Sequence, residues 1–144
     1  MLPESMYVPG ERKGNMNKEV LVLLSVFLGG GIGSVGRFLL SGVVQRSTGG
    51  VFPWGTMSVN VLGACAIGAV WAAAGRYELL PGARAFIFVG IFGGFTTFSA
   101  FSLETFGLFR EGAWRLGLTN ILLSNVACLV AVAAGFFIMR AILR

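Results

Sequence analysis

The sequence predicts an all-α membrane protein with four transmembrane helices, and composition is the first reason. Of its 144 residues, 56% are hydrophobic and only 12% are charged, and the mean hydropathy is +0.82. So few charges could not cover the apolar surface of a soluble domain of this size. The second reason is a series of four apolar stretches, each longer than the ~20 residues that cross a hydrocarbon core of about 30 Å. We therefore predict an integral membrane protein without a separate soluble domain.

The boundaries of the spans follow from the apolar runs and from the polar turns between them. The predicted spans cover about residues 20–44, 54–74, 85–109 and 116–142. Residues 1–18 are polar and lack the long apolar core and cleavage site of a signal peptide. We interpret them as a flexible N-terminal extension, with Met16 as an alternative start of translation. Residues 19–144 then form one compact transmembrane domain.

The orientation of the chain is only weakly biased by its basic residues. Four spans place both termini on one side, where seven Lys and Arg residues lie, against three on the other side. The seven are Arg12, Lys13, Lys18, Arg76, Arg84, Arg140 and Arg144, and the three are Arg46, Arg110 and Arg115. This excess places the termini in the cytoplasm. A start at Met16 lowers the count to five against three, a bias small enough for the chain to insert both ways.

Small residues in the first two spans predict close helix contacts. Gly29 with Gly33, and Ala64 with Gly68, are each four residues apart and share a helix face. Such faces pack against another helix or a second chain. Because a single bundle of four helices is too narrow to enclose a pathway, we expect an oligomer.

Composition also excludes several function classes. The chain has no histidine, the commonest general base and metal ligand, and its six carboxylates show no pairing, so we predict no enzyme activity. The net charge of +5 does not predict nucleic-acid binding, because the basic residues mark helix ends and loops rather than one face. Cys65 and Cys128 lie inside apolar runs and are predicted to be free, buried thiols.

The most informative segment is Gly93–Phe101, in the middle of the third span. It contains two glycines and the hydroxyl residues Thr96, Thr97 and Ser99. Such a sequence is a poor lipid-facing helix, and any backbone groups that it frees at bilayer depth must be satisfied by protein, water or an ion. We therefore predict a break in this helix and a pore-lining or ion-binding site beside it.

Polar side chains in the second and fourth spans are candidates for the same site. Thr56 and Asn60 lie four residues apart on one helix face. Asn60 either joins two helices by a hydrogen bond or donates its amide N–H groups to a permeating anion. Asn120, Ser124 and Cys128 recur every four residues and form a polar stripe, which either joins helices or lines a pathway.

Aromatic and charged residues complete the set of candidates. Phe98 and Phe101, three residues apart, share a helix face. They either pack in the bundle or present the positive edges of their rings to a small anion. Arg37 lies near the far boundary of the first span, where it has a structural or vestibule role or contacts the pore. Glu104 is the only carboxylate within a span, which makes it a functional candidate.

Three motifs together resemble the CrcB/Fluc fluoride channels. They are the segments Gly30–Phe38, Gly55–Gly63 and Gly93–Phe101, in the order and at the spacing of that family, and the similarity covers about residues 19–144. The resemblance implies a dual-topology homodimer with two antiparallel pores, which passively exports fluoride across the cell membrane. Its partners are then the fluoride ion, an inverted second copy of the chain and the bilayer.

The resemblance also implies roles for individual residues. It places Phe98, Phe101 and Asn60 along the fluoride path, and to this path we also assign the polar residues Ser124, Thr97 and Asn120. The backbone carbonyls of Gly93 and Thr96 from both chains hold one structural sodium ion at the dimer centre. Arg37 and Glu104 belong to the vestibule or to gating.

The sequence departs from the family pattern at three positions. Ala100 stands where threonine is common, Asn120 where tyrosine is frequent and Cys128 where serine is frequent. We expect the first change to remove a hydroxyl beside the sodium site and the others to alter the polar stripe of the fourth span. An alternative interpretation is a small dual-topology multidrug or cation exporter, for which Glu104 is the only candidate proton carrier. A purely structural membrane subunit is a third.

Overall fold

A computed structural model describes residues 16–144, all of whose regular elements are helical. The helices are α1 (Met16–Thr48), α2 (Trp54–Ala74), α3 (residues 81–95), α4 (Phe98–Arg110) and α5 (Trp114–Ile142). Helices α3 and α4 follow each other as one interrupted span, so four helical segments are long and apolar enough to cross a membrane. The shortest of these, α2, has 21 residues and a length of about 32 Å at 1.5 Å per residue.

The predicted spans are confirmed as elements. Both ends of α2 agree with the prediction, whereas α1 extends four residues beyond each predicted end and α5 begins two residues early. The third span starts at Pro81, a residue whose fixed φ angle suits the first helical position. Of the predicted N-terminal extension, residues 1–15 lie outside the described part of the chain, and residues 16–18 belong to α1.

The turn between α1 and α2 is held by Gln45, which lies just beyond the predicted end of the first span and belongs to the last turns of α1. Its side-chain Oε1 accepts a hydrogen bond from the backbone N–H of Gly55 at 3.0 Å, and its Nε2 donates to the carbonyls of Gly50 and Phe52. The first N–H groups of a helix have no partner within the helix. Gln45 therefore caps α2 with a side chain from the preceding helix.

Two helix pairs make up the bundle, and the two helices of each pair cross where both contain a glycine. Helix α1 packs along α3, and α2 packs along α5. Gly29 and Gly90 face each other so closely that a Cβ built on either would meet the backbone of the other helix. Gly68 of α2 and Gly135 of α5 make the corresponding contact in the second pair. The small-residue pattern in the sequence therefore produces backbone contacts within one chain.

A feature that the sequence did not indicate is the π-helical stretch Ala85–Phe92 within α3. Its eight residues are as apolar as those of an ordinary transmembrane helix. The stretch ends where α3 meets Gly93, immediately before the predicted break. A wider helical turn at this point is typical of functional segments in helical proteins.

Many large apolar side chains of residues 16–144 are exposed on the surface of the chain. Few residues of each span are buried inside the chain, and the 33-residue helix α1 buries only Gly29 and Gly33. Large side chains such as Phe27, Leu103 and Leu129 are exposed. These side chains face lipid or another protein chain, because no water is present at that depth.

We expect Gly68→Val to destabilise the α2–α5 pair, because the new side chain would overlap the backbone at Val132. The expected loss is about 1–3 kcal/mol of unfolding free energy, measured by thermal unfolding of the purified protein in detergent. Gly31→Ala is the control, because nothing lies within 4 Å of a Cβ at that position. Equal stability of the two variants would contradict the close crossing.

Candidate functional site

The predicted break is present, at Thr96 and Thr97. Both residues have extended backbone conformations, with φ/ψ of −86°/156° for Thr96 and −150°/115° for Thr97. The last helical hydrogen bond of α3 runs from the N–H of Thr96 to the carbonyl of Phe92 at 3.0 Å. Helix α4 begins at Phe98. Two peptide units at bilayer depth are therefore left outside the helical hydrogen-bond pattern.

Packing of the neighbouring helices makes room for the break. The ring of Phe95 lies between Gly36 of α1 and Gly63 of α2. Gly63 also lies directly against the methyl group of Thr96, so a side chain at position 63 would displace the break. Glycine at these positions lets α1 and α2 approach the end of α3 and the extended segment that follows it.

Asn60 of α2 binds the break through its whole carboxamide. Its Oδ1 accepts a hydrogen bond from the backbone N–H of Thr97 at 2.8 Å, and its Nδ2 donates to the carbonyl of the same residue at 3.0 Å. The side chain thus replaces the helical partners of one entire residue. Nδ2 carries a second N–H group, and Asn60 borders the groove described below. Both roles that the sequence left open for Asn60, an interhelical bond and a donor toward the pathway, are compatible with this geometry.

Thr97 caps the start of α4. Its hydroxyl oxygen accepts a hydrogen bond from the backbone N–H of Ala100 at 3.1 Å and lies 3.1 Å from the hydroxyl of Ser99. A threonine at this position satisfies one of the free N–H groups of the first helical turn. The cap explains why helical structure resumes immediately after the break.

The break leaves backbone carbonyls without their helical donors. In an α-helix the carbonyl of residue i accepts from the N–H of residue i+4. The N–H that would serve Gly93 belongs to Thr97 and is bound to Asn60, and the N–H that would serve Thr96 belongs to Ala100 and is bound to the Thr97 hydroxyl. The two carbonyls predicted to hold sodium are therefore the two whose donors are taken by side chains.

An open groove of about 430 Å³ runs beside the break. It brings together five of the six residues assigned to the fluoride path, which are Asn60, Thr97, Phe98, Phe101 and Ser124. The rings of Phe98 and Phe101 lie with their centroids 5.3 Å apart, inclined by 44°. Phe101 is buried, whereas Phe98 is 75% exposed on the open side. The predicted shared face of these two phenylalanines is confirmed.

The polar stripe of α5 is also confirmed, and it continues into α4. Ser124 donates a hydrogen bond to Oδ1 of Asn120 at 3.0 Å, and Nδ2 of Asn120 donates to the hydroxyl of Thr105 at 2.8 Å. Thr105 in turn donates to the carbonyl of Phe101. Asn120, the sixth residue assigned to the path, is only 1% exposed and lies behind the groove rather than in its wall. It positions Ser124, whose side chain borders the groove.

Thr105 is the residue that the sequence analysis missed. A single threonine in an apolar helix has no distinctive pattern, and only the position one turn after Phe101 sets it apart. Cys128 borders the groove as the next member of the stripe after Ser124. Cys128 and Cys65 are both free, as predicted, although each is only partly buried.

The two charged candidates lie apart from this groove. Glu104 borders a second groove of about 450 Å³ between α1, α2 and α4. Its Oε1 accepts a hydrogen bond from the hydroxyl of Thr56 at 2.7 Å, and its buried Oε2 has no hydrogen-bond partner among residues 16–144. Arg37 is partly buried on α1 and borders neither groove.

Comparisons with known proteins agree on one family. The model of the family described as CrcB-like protein, camphor resistance, matches residues 24–136. A protein of Parabacteroides distasonis named fluoride-specific ion channel FluC is 45% identical over 124 residues, which cover 84% of this chain and 97% of that protein. Proteins of the same name from Opitutus terrae and Methylocella silvestris are 49% and 43% identical. Those alignments cover 78% and 83% of this chain, and 87% and 93% of the two relatives.

We expect Asn120→Ala to destabilise the fold, because it removes the acceptor of the buried Ser124 hydroxyl and the amide that donates to the Thr105 hydroxyl. The unfolding free energy is expected to fall by about 1–3 kcal/mol, measured by thermal unfolding in detergent. Asn125→Ala is the matched control, because Asn125 is exposed and its amide donates only to Ile121 of its own helix. A loss no greater than that of the control would contradict a structural role for this network.

Proposed function

Because the chain belongs to the CrcB-like family, we propose that it is a fluoride channel through which F⁻ leaves the cell passively. It is a multi-pass protein of the cell membrane, and a channel of this kind carries out no enzymatic reaction. The observation that carries the proposal is the groove in which the rings of Phe98 and Phe101 lie beside Asn60 and Ser124. All four belong to the part of the chain that the family model covers.

The chemistry of the groove suits a small, strongly hydrated anion. Fluoride loses hydration energy on entering a narrow path, and amide N–H groups, hydroxyl groups and ring edges replace part of it. The second N–H of Asn60 and the ring edges of Phe98 and Phe101 are such donors. Because the donors are spread along the groove, no single site holds the ion too tightly for it to leave.

The direction of flow follows from the membrane potential. Hydrogen fluoride crosses lipid as a neutral acid and dissociates in the near-neutral cytoplasm. A membrane potential that is negative inside then favours outward movement of the anion by about 2.3 kcal/mol per charge per 100 mV. Export therefore requires neither a nucleotide nor a coupled proton.

The alternative of a multidrug or cation exporter finds no support. Such a transporter needs a carboxylate along its transport path, and the only candidate, Glu104, is bonded to Thr56 beside a separate groove. The compared relatives are named fluoride channels. Glu104 and Arg37 stay vestibule or gating candidates.

A second, antiparallel copy of the chain is the partner that we propose. The groove is open on the side where Phe98, Ser99 and Gly93 are exposed. Polar groups and free carbonyls on that side cannot face lipid without a large desolvation cost. An inverted copy would cover this side. If translation starts at Met16, the excess of basic residues falls to five against three, which is small enough for insertion in both orientations.

We also propose a structural Na⁺ held by the carbonyls of Gly93 and Thr96. The donor set fits the ion, because backbone carbonyl oxygens are hard ligands and the helical donors of both are taken by side chains. Gly93 is exposed on the open side of the groove, where a second chain could contribute the same pair. A bound cation satisfies carbonyl groups that the bilayer would otherwise leave without a partner.

The direct test is fluoride efflux from liposomes that contain the purified chain. Vesicles loaded with potassium fluoride and supplied with a potassium ionophore should release fluoride rapidly, as read with a fluoride electrode. Matched vesicles loaded with potassium chloride should retain chloride, as protein-free vesicles do. No fluoride release, or equal release of the two anions, would overturn the proposal.

Phe101→Leu tests whether the ring edges face the ion. Leucine retains most of the apolar volume and lacks the positive edge, so the fluoride efflux rate is expected to fall about tenfold, a barrier increase of about 1.4 kcal/mol. Phe106→Leu on the same helix is the control, because Phe106 is exposed and does not border the groove. A normal rate in folded Phe101→Leu protein would instead favour a purely structural role for the phenylalanines.

A further inference from the structure

We infer that the carboxamide of Asn60 and the hydroxyl of Thr97 are positioning groups for the cation site, because they hold away the backbone N–H groups that would close over its carbonyls. The inference rests on the proposed function and assigns a new task to two residues of the proposed fluoride path. Neither group needs to touch the cation.

Asn60 keeps the helical N–H donor away from the carbonyl of Gly93. After its π-helical stretch, α3 ends with an α-helical bond from Thr96 N–H to the Phe92 carbonyl, so the next bond of this kind would join Thr97 N–H to the Gly93 carbonyl. Asn60 takes that N–H at 2.8 Å and holds the carbonyl of the same residue at 3.0 Å. Two hydrogen bonds to one residue fix its rotation about the chain, so Thr97 cannot return to the helical position.

The hydroxyl of Thr97 keeps the helical N–H donor away from the carbonyl of Thr96. Its carbonyl would receive the N–H of Ala100 if the helix were continuous. The Thr97 hydroxyl takes that N–H at 3.1 Å, as the cap of α4. Thr97 is 8% exposed, so water does not readily replace the hydroxyl. Two side chains thus hold the extended backbone of Thr96 and Thr97: the carboxamide of Asn60 binds Thr97, and the hydroxyl of Thr97 binds Ala100.

The other hydroxyl and amide groups of the groove bond elsewhere. The hydroxyl of Ser124 donates to Asn120, the amide of Asn125 donates to the carbonyl of Ile121 in its own helix, and the hydroxyl of Thr96 donates to the carbonyl of Phe92. None of them takes an N–H group away from the carbonyls of Gly93 or Thr96. Asn60 therefore has two tasks, since it both borders the anion groove and keeps a cation-facing carbonyl free. Anion path and cation site share one side chain.

The test is the sodium dependence of thermal unfolding of the full chain in detergent. The melting midpoint of the unmodified protein is measured against increasing NaCl, with N-methylglucamine chloride holding the ionic strength constant. A ligand that binds only the folded state raises the midpoint in a saturable way. We expect such a curve, and its half-saturating sodium concentration is the quantity to compare between variants.

Thr97→Val and Thr97→Ser form the decisive pair, because only the serine keeps the hydroxyl that caps Ala100. Thr97→Val is expected to raise the half-saturating sodium concentration at least tenfold, and Thr97→Ser to leave it within about twofold. Asn60→Ala is expected to behave like Thr97→Val, and Asn125→Ala like the unmodified chain. If Asn60→Ala does not fold, the Thr97 pair decides alone.

Two results would overturn the inference, and they are distinguishable. Unchanged half-saturating sodium in Thr97→Val and Asn60→Ala would show that the carbonyls stay available without these side chains, while the cation site itself remains supported. A midpoint independent of sodium in the unmodified chain would remove the cation site and the inference together. The fluoride channel would then still be judged by its efflux.

Discussion

The structure depends on how the backbone groups at one break in a helix, at bilayer depth, find hydrogen-bond partners. No water is present there to accept the hydrogen bonds of a free backbone, so every group that the break releases needs a partner from the protein or an ion. Asn60 supplies two bonds to Thr97, and the Thr97 hydroxyl supplies a third to Ala100. The N–H groups of Thr97 and Ala100 are thereby bound to side chains, whereas the carbonyls of Gly93 and Thr96 lose their helical donors. This asymmetry is the basis of the cation site that we propose on the open side of the segment.

The same arrangement determines the shape of the groove beside the break. Because Thr97 caps α4 immediately after the break, Phe98 and Phe101 start the new helix with their rings on one side, 5.3 Å apart. The chain of hydrogen bonds from Ser124 through Asn120 to Thr105 fixes the facing wall. The glycines at which α1 crosses α3 and α2 crosses α5 hold these walls at short distance. The helix packing, the break and the groove therefore depend on one another. The groove stays open along one side of the single chain.

Much of this could be predicted from the sequence, because a membrane leaves few alternatives to helices. Four apolar stretches of sufficient length gave the spans, and two glycines followed by hydroxyl residues indicated the break. The stripe of Asn120 and Ser124 followed from helical periodicity. What could not be predicted depends on which residues become neighbours when the chain folds. Asn60 could bond to any neighbouring helix, Thr105 had no pattern of its own, and the π-helical turns of Ala85–Phe92 have the composition of an ordinary span. Glu104 was recognised as unusual, but its bond to Thr56 and its separation from the phenylalanine groove needed the structure.

We propose that conduction needs two chains, because the groove of one chain is open where its polar groups and carbonyls lie. The most direct measurement is the fraction of liposomes that retain fluoride as the amount of protein per vesicle is lowered toward one conducting unit. At that dilution, random distribution of units among vesicles gives the number of chains in each unit. We expect two chains per conducting unit, together with fluoride release and chloride retention. One chain per unit would contradict it.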